Sequence, residues 1–83
     1  MLKIAMIGAG SIGFTRKLVQ DLLTVPEFAD TEFRFMDISE KNLEMVTNLT
    51  HKMIADNGLP AKIHPTMNRR EAIRGADYVI SVV

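Results

Sequence analysis

Short apolar segments alternate with segments of helical periodicity along this chain of 83 residues. Four of the apolar segments have the length of β-strands, and they lie at 2–7, 32–37, 61–66 and 77–83. Between them, apolar positions recur every three or four residues, as in helices with one buried face. These helical segments lie at about 12–24, 39–57 and 68–75. The pattern therefore predicts the order βαβαβαβ.

Residues with strong positional preferences mark the ends of the predicted helices. Pro26 ends the first helix, because the residue before a proline avoids the α region. Ser39 and Asn68 are suited to cap the second and third helices. Gly58 is suited to the position just after the second helix.

Each of the two longer helices is expected to bury one apolar stripe. In the first helix the stripe consists of Phe14, Leu18, Val19, Leu22 and Leu23. In the second it consists of Leu43, Val46, Leu49 and Met53, widened by Met45 and Ile54.

The element order predicts an α/β fold, a Rossmann-like doubly wound parallel sheet. Right-handed crossovers give the spatial strand order 3-2-1-4, with the switch point between strands 1 and 4. Pro65 removes a backbone donor from strand 3, which suits an edge strand or a strand end. Complete dinucleotide-binding domains have about 150 residues and six strands. We therefore expect residues 1–83 to be the N-terminal, truncated portion of such a domain.

Composition narrows the function classes. Ten basic residues balance ten acidic residues, so the formal net charge is zero, and neither a general nucleic-acid binder nor a membrane-surface binder is indicated. The chain has no cysteine, hence no disulfide framework and no thiolate metal site within these residues. No apolar segment approaches the roughly 20 residues that span a bilayer. The cytoplasm is the default location.

Three glycines follow the first predicted strand and open the first helix, in the spacing G-x-G-x-x-G. They are Gly8, Gly10 and Gly13. In this context the first glycine permits a sharp turn, the second lets the backbone approach a pyrophosphate, and the third lets helix and strand pack closely. The helix N-terminus adds unpaired N–H groups and partial positive charge. The alternative is a strand–turn–helix that needs glycine only for backbone freedom.

Asp37 is the last residue of the second predicted strand, 24 residues after Gly13. A carboxylate there can accept hydrogen bonds from the hydroxyls of an adenosine ribose. It would also repel a 2′-phosphate, and no Lys or Arg follows until Lys41. Asp37 therefore favours NAD over NADP. Alternatively, it only begins the turn into the second helix, where aspartate is common.

Other polar residues give weaker signals. Ser11 suits capping of the first helix, contact with a phosphate oxygen, or both. His51 and His64 have no partner at metal-ligand or triad spacing, so both are interpreted as surface or half-buried residues. A basic cluster in the third helix is better explained as a solvated helix face than as a phosphate site; it consists of Arg69, Arg70 and Arg74.

Three stretches together resemble the N-terminus of the family 4 glycoside hydrolases, the NAD- and manganese-dependent α-galactosidase, α-glucosidase and α-glucuronidase type. They are Gly8–Thr15 (GAGSIGFT), Phe35–Ile38 (FMDI) and Arg69–Ile80 (RREAIRGADYVI). The phospho-glycosidase branch usually carries Tyr-Thr-Pro after the glycine turn, where this chain has Phe14 and Thr15. Lactate and malate dehydrogenases share the fold and a similar fingerprint.

The resemblance implies glycoside cleavage by redox and elimination, outside the usual two-carboxylate scheme. In the family, NAD⁺ takes a hydride from the sugar C3 position, a base removes the acidified C2 proton, and the aglycone is eliminated. Water then adds and the hydride returns. A divalent metal polarises the C2 and C3 oxygens. Its Cys and His ligands and the usual Tyr base lie beyond position 83, and Tyr78 does not match the base.

The resemblance transfers only cofactor-binding residues to this chain. They are Gly8, Gly10, Ser11, Ile12, Gly13 and Asp37. No catalytic residue and no metal ligand transfers, so the 83 residues alone are expected to be inactive on an α-glycoside. The alternatives are a fragment of a lactate- or malate-type 2-hydroxyacid dehydrogenase and a non-catalytic nucleotide-binding or assembly fragment. The apolar strand 77–83 would be an open edge, which predicts a homo-oligomer formed through it.

Overall fold

The structure is a computed structural model and describes residues 1–82. Its strands are β1 (Lys3–Ile7), β2 (Glu32–Met36), β3 (Lys62–Thr66) and β4 (Tyr78–Ser81). Its helices are α1 (Ile12–Leu23), α2 (Glu40–Asp56) and α3 (Arg69–Ile73), with one turn of 3₁₀ helix at Pro26–Phe28. The predicted element order is confirmed. The predicted end of the fourth strand at Val83 lies outside the described residues.

The four strands form one parallel sheet in the order β3-β2-β1-β4, which confirms the prediction. In its centre, Met6 of β1 lies beside Phe35 of β2 and Ile80 of β4. Pro65 lies in the edge strand β3, where a residue without an N–H group leaves no interior pairing broken.

Alternate side chains of β1 serve the two faces of the sheet, as the pleat requires. On one face Ile4 and Met6 pack with the phenylalanines of β2 and with α1 and α2. On the other, Ala5 packs with Met36 and with Ala72 of α3. Because both faces of β1 are covered, its residues from Ile4 to Met6 are buried, as expected of a central parallel strand.

The helix ends lie close to the predicted positions. The Ser39 side chain accepts a hydrogen bond from Asn42 N in the first turn of α2. Asn68 caps α3 in the same way, accepting from Glu71 N at 3.1 Å. Gly58 follows α2 with φ of +60°, the left-handed conformation that glycine adopts without strain.

The predicted stripe of α2 is wrong in part. Leu43, Val46 and Ile54 are buried, but Leu49 and Met45 are exposed. Thr47 and Thr50 occupy the buried face instead. Positions 43, 46–47, 50 and 54 follow the helical repeat of 3.6 residues closely, whereas 49 and 53 drift from it.

The predicted stripe of α1 is wrong at Phe14, which is 52% exposed. The neighbouring Thr15 is fully buried, and its hydroxyl donates to the carbonyl of Ala9 at 2.8 Å. That hydrogen bond allows a polar side chain to lie in the core. Val19 and Leu23 complete the buried face of α1.

In residues 1–82, every helix is too short or too polar to cross a membrane.

Candidate functional site

The glycine turn after β1 is fastened to the end of β2. Gly8 N and Ala9 N both donate to the carbonyl oxygen of Met36, at 2.8 and 2.9 Å. Gly8 has φ of +84°, and a Cβ there would overlap the carbonyl oxygen of Val82. Both the backbone conformation and the approach of the chain after β4 therefore require glycine at this position.

Gly10 is packed against Asp37. Its N–H donates to Asp37 Oδ2 at 2.7 Å. A Cβ on Gly10 would lie 2.5 Å from that oxygen and 2.9 Å from Cβ of Asn42. The bare backbone at Gly10 is therefore already needed by contacts within the chain, in addition to any approach of a pyrophosphate.

Asp37 uses both carboxylate oxygens to join the turn to α2. Oδ2 accepts from Gly10 N at 2.7 Å, and Oδ1 accepts from Ser39 N at 2.8 Å. The bond between Asp37 Oδ1 and Ser39 N stabilises the turn into α2. This is the alternative role predicted for Asp37 from the sequence. Each carboxylate oxygen has two lone-pair sites, so both oxygens can accept a further hydrogen bond.

The packing role predicted for Gly13 is wrong. A Cβ built on Gly13 meets nothing within 4 Å, and the residue is exposed. The close contact is made two residues later, where the Thr15 hydroxyl of α1 donates to the Ala9 carbonyl in the glycine turn. Gly13 lies in the first turn of α1, on a side that is open to solvent.

Ser11 is the N-cap residue of α1, but its side chain makes no capping hydrogen bond. The Ser11 backbone contributes instead, because its N–H donates to the Gly8 carbonyl and its carbonyl accepts from Thr15 N. The capping part of the Ser11 prediction is therefore wrong. The side chain is exposed and available to a ligand.

A cleft of about 610 Å³ lies at the carboxyl ends of β1, β2 and β4. Four of the six predicted cofactor residues line it, namely Gly8, Gly10, Ser11 and Asp37. Ile12 and Gly13 do not: Ile12 packs against the hydrophobic core, and Gly13 faces solvent. The site residues that the sequence prediction missed are Ile7, Met36, Ile38, Asn42, Arg69, Ser81 and Val82.

Strand order is the signal that could have found most of the missed residues. Parallel strands bring their carboxyl ends to one edge of the sheet, where ligands bind. Ile7, Met36 and Ser81 are the last residues of β1, β2 and β4. Arg69 follows β3, the next strand outward from β2, and only the three-dimensional structure shows that it reaches the same cleft.

The two histidines lie away from this cleft. His51 is exposed on α2. His64 is exposed on β3, with Nε2 3.4 Å from Oε1 of Glu32. Among residues 1–82, no group of three His, Cys, Asp or Glu side chains could hold a metal ion.

Comparison with known proteins identifies a family over nearly the full length. The sequence profile of the Family 4 glycosyl hydrolases matches residues 3–83. The alpha-galactosidase of Rhizobium meliloti is 51% identical over 81 residues, which cover 98% of this chain and 16% of that enzyme. A probable 6-phospho-beta-glucosidase of Bacillus subtilis is 37% identical, over 94% of this chain and 18% of that protein. The chain thus spans less than a fifth of these relatives.

Solved structures resemble the fold closely. The 6-phospho-beta glucosidase of Thermotoga maritima, crystallised with manganese, NAD⁺ and glucose-6-phosphate, superposes with a TM-score of 0.84 and 30% identity. The match covers 100% of this chain and 19% of that enzyme. Malate dehydrogenase of Cryptosporidium parvum gives a TM-score of 0.67 at 30% identity, over 99% of this chain and 24% of that enzyme. The glycosidase is the better match in fold, and the family profile separates the two classes: this chain is a member of the family 4 glycosyl hydrolases.

Proposed function

We propose that residues 1–83 bind NAD as the N-terminal portion of the Rossmann domain of a family 4 glycosidase. One observation carries the proposal: Asp37 lies in one cleft with the glycine turn and is hydrogen-bonded to it. A carboxylate at the end of β2 beside a glycine turn at the end of β1 is the arrangement that binds adenosine ribose and pyrophosphate. The family relative with NAD⁺ in its crystals supports the same cofactor.

Each part of the cleft has a distinct role in this proposal. The free N–H groups of the first turn of α1, next to the glycine turn, receive the pyrophosphate. Ser11 offers its free hydroxyl to a phosphate oxygen. Asp37 accepts from the ribose hydroxyls and repels a 2′-phosphate, which favours NAD over NADP. Ile12 and Gly13 contribute through backbone placement in that first helical turn.

The complete enzyme is proposed to hydrolyse α-glycosides, because the Rhizobium alpha-galactosidase is 51% identical to this chain. When bound, NAD supplies a reversible hydride acceptor for the redox-elimination route of the family. The residues of this chain bind and orient it. The manganese ligands are proposed to lie beyond position 83, as the family resemblance implies. We propose that the 83 residues bind cofactor without cleaving glycosides by themselves.

A 2-hydroxyacid dehydrogenase ranks below the glycosidase for two reasons. The family 4 profile matches residues 3–83, and the fold likeness to malate dehydrogenase is weaker than the likeness to the Thermotoga glucosidase.

The proposed assembly is a homo-oligomer formed through β4. The edge strand β4 exposes Tyr78 and Val79, so we propose self-association through this edge. The cytoplasm is the proposed location, since that compartment supplies NAD.

Amide chemical shifts measured during titration with NAD⁺ test the binding proposal. The amides of Gly8, Gly10 and Ser11 should shift, because they surround the proposed pyrophosphate position. Amides of Asp56 and Asn57, at the far end of α2, serve as the internal control and should not. Equal shifts at both ends of the molecule, or no shifts at the turn, would contradict the proposal.

A further inference from the structure

Arg69 lies in the cleft of the glycine turn, although its sequence context suggests a solvated helix face. It is the first residue of α3 and is exposed, yet it lines the same cleft as Asp37 and Ile38. Within residues 1–82 its guanidinium has no ion-pair partner and no hydrogen bond. A cation of this kind is available to a ligand.

Ile38 is the second unexplained residue of the cleft. It is 85% exposed, the highest exposure among the large apolar side chains of the described residues. It directly follows Asp37 and lines the cleft. Its side chain is therefore free to contact an apolar group of a ligand bound beside Asp37.

Strand order indicates which part of a dinucleotide would meet this pair. Along the sheet edge, the glycine turn follows β1, Asp37 and Ile38 follow β2, and Arg69 follows β3. Neighbouring strands are about 5 Å apart, so the end of β3 lies about two strand spacings from the pyrophosphate position. The order pyrophosphate, ribose, base along a dinucleotide matches the order of the three strands.

We propose that Arg69 and Ile38 hold the adenine ring of the cofactor between them, with the guanidinium plane stacked on the ring. Arginine stacks on π systems through its planar, weakly hydrated cation, and Ile38 supplies apolar contact. The strand order brings the base end of the dinucleotide, rather than its pyrophosphate, to the end of β3, so the adenine ring is the proposed partner of Arg69. The inference rests on the proposed NAD site and adds two residues that determine its affinity for the adenine end.

Calorimetric titration of the 83-residue chain with NAD⁺ tests whether Arg69 contributes to binding of the adenine ring. R69A should weaken binding about two- to five-fold, the range of an exposed cation–π contact. R70A is the matched control: it removes the same charge from the next residue of α3, which does not line the cleft, and should leave the affinity unchanged. R69K keeps the charge but loses the planar guanidinium that stacks on the ring, so it should restore binding only in part. In the wild-type complex, the adenine C2 proton should show a nuclear Overhauser effect to the Ile38 methyl groups.

The outcomes distinguish a failure of the adenine contact from a failure of the proposed NAD site. If the unsubstituted chain binds no NAD⁺, both are overturned. If it binds NAD⁺ and R69A behaves like R70A, only the adenine contact is overturned. Full recovery of NAD⁺ affinity in R69K would show that the charge alone acts. Absence of the nuclear Overhauser effect between adenine C2–H and Ile38 would show that the base lies elsewhere. Either result overturns the stacked arrangement.

Discussion

At the scale of single residues, the glycines of the turn differ in what they require. Gly8 is needed for its positive φ and for the approach of Val82, and Gly10 for the contact with Asp37. Gly13 has open space where a Cβ would lie. The three positions of one motif therefore have unequal sensitivity to substitution, for reasons internal to the chain.

Substitution of Gly10 should show this difference most clearly. G10A places a Cβ 2.5 Å from Asp37 Oδ2, so the hydrogen bond from Gly10 N must lengthen or break. We expect a loss of about 1–3 kcal/mol in the free energy of unfolding, typical of overpacking, measured by urea denaturation. G13A is the matched control and should be neutral or stabilising by up to about 1 kcal/mol, because alanine is favoured over glycine in helices. Equal losses in both variants would contradict this account.

Single residues are also the features that the sequence predicts least completely. Its prediction that Asp37 lies beside the glycine turn matches the structure, because strand, turn and helix each carry a recognisable signal. The sequence favours a solvated helix face for Arg69, because its approach to the cleft depends on how β3 and α3 pack. Phe14 was assigned to the core because apolar character alone was counted; Thr15 takes that place through a hydrogen bond to Ala9.

At the scale of elements, the pattern of hydrophobic and polar residues predicts the order of strands and helices well and the buried faces of the helices less well. All four strands and three helices were predicted in order, because Gly, Pro and capping residues punctuate them. The apolar pattern predicts the wrong buried face for α2, because Thr47 and Thr50 lie on the buried face. The Thr50 hydroxyl donates to the Val46 carbonyl of the preceding turn, so it can be buried at little cost.

Two serines precede helices, but only one of them acts as a cap. Ser39 accepts from Asn42 N at 3.3 Å, whereas the Ser11 side chain makes no capping bond. S39A should therefore lower the free energy of unfolding by about 1 kcal/mol, the usual value for an N-cap. S11A should leave it nearly unchanged. Thermal denaturation of the two variants side by side measures the difference, and a larger loss in S11A would be inconsistent with the hydrogen bonds observed.

At the scale of the whole molecule, the two edges of the sheet differ in their protection against pairing with a strand of another chain. The edge strand β3 contains Pro65, which has no N–H group to offer a partner. The other edge, β4, exposes Tyr78 and Val79 without a proline or a charge within Tyr78–Ser81. Such an edge can pair with a second copy of the chain.

Sedimentation of the 83-residue chain at increasing concentration should therefore show association beyond the monomer. V79K adds a charge on the edge and should shift the chain toward monomer. Q20K adds the same charge on the exposed side of α1 and should not. A wild-type chain that stays monomeric at millimolar concentration would remove the support for assembly through β4.

The central claim is that the cleft beside Asp37 binds NAD and selects it over NADP. Calorimetric titration of the unsubstituted chain with NAD⁺ and with NADP⁺ under identical conditions tests it most directly. Both affinities should be weak, because the chain spans only 19% of its NAD-bound glycosidase relative. The Asp37 carboxylate should make NADP⁺ bind at least about tenfold more weakly, since two like charges repel across a few ångströms. Equal or tighter binding of NADP⁺ would contradict the assignment of Asp37 to the ribose.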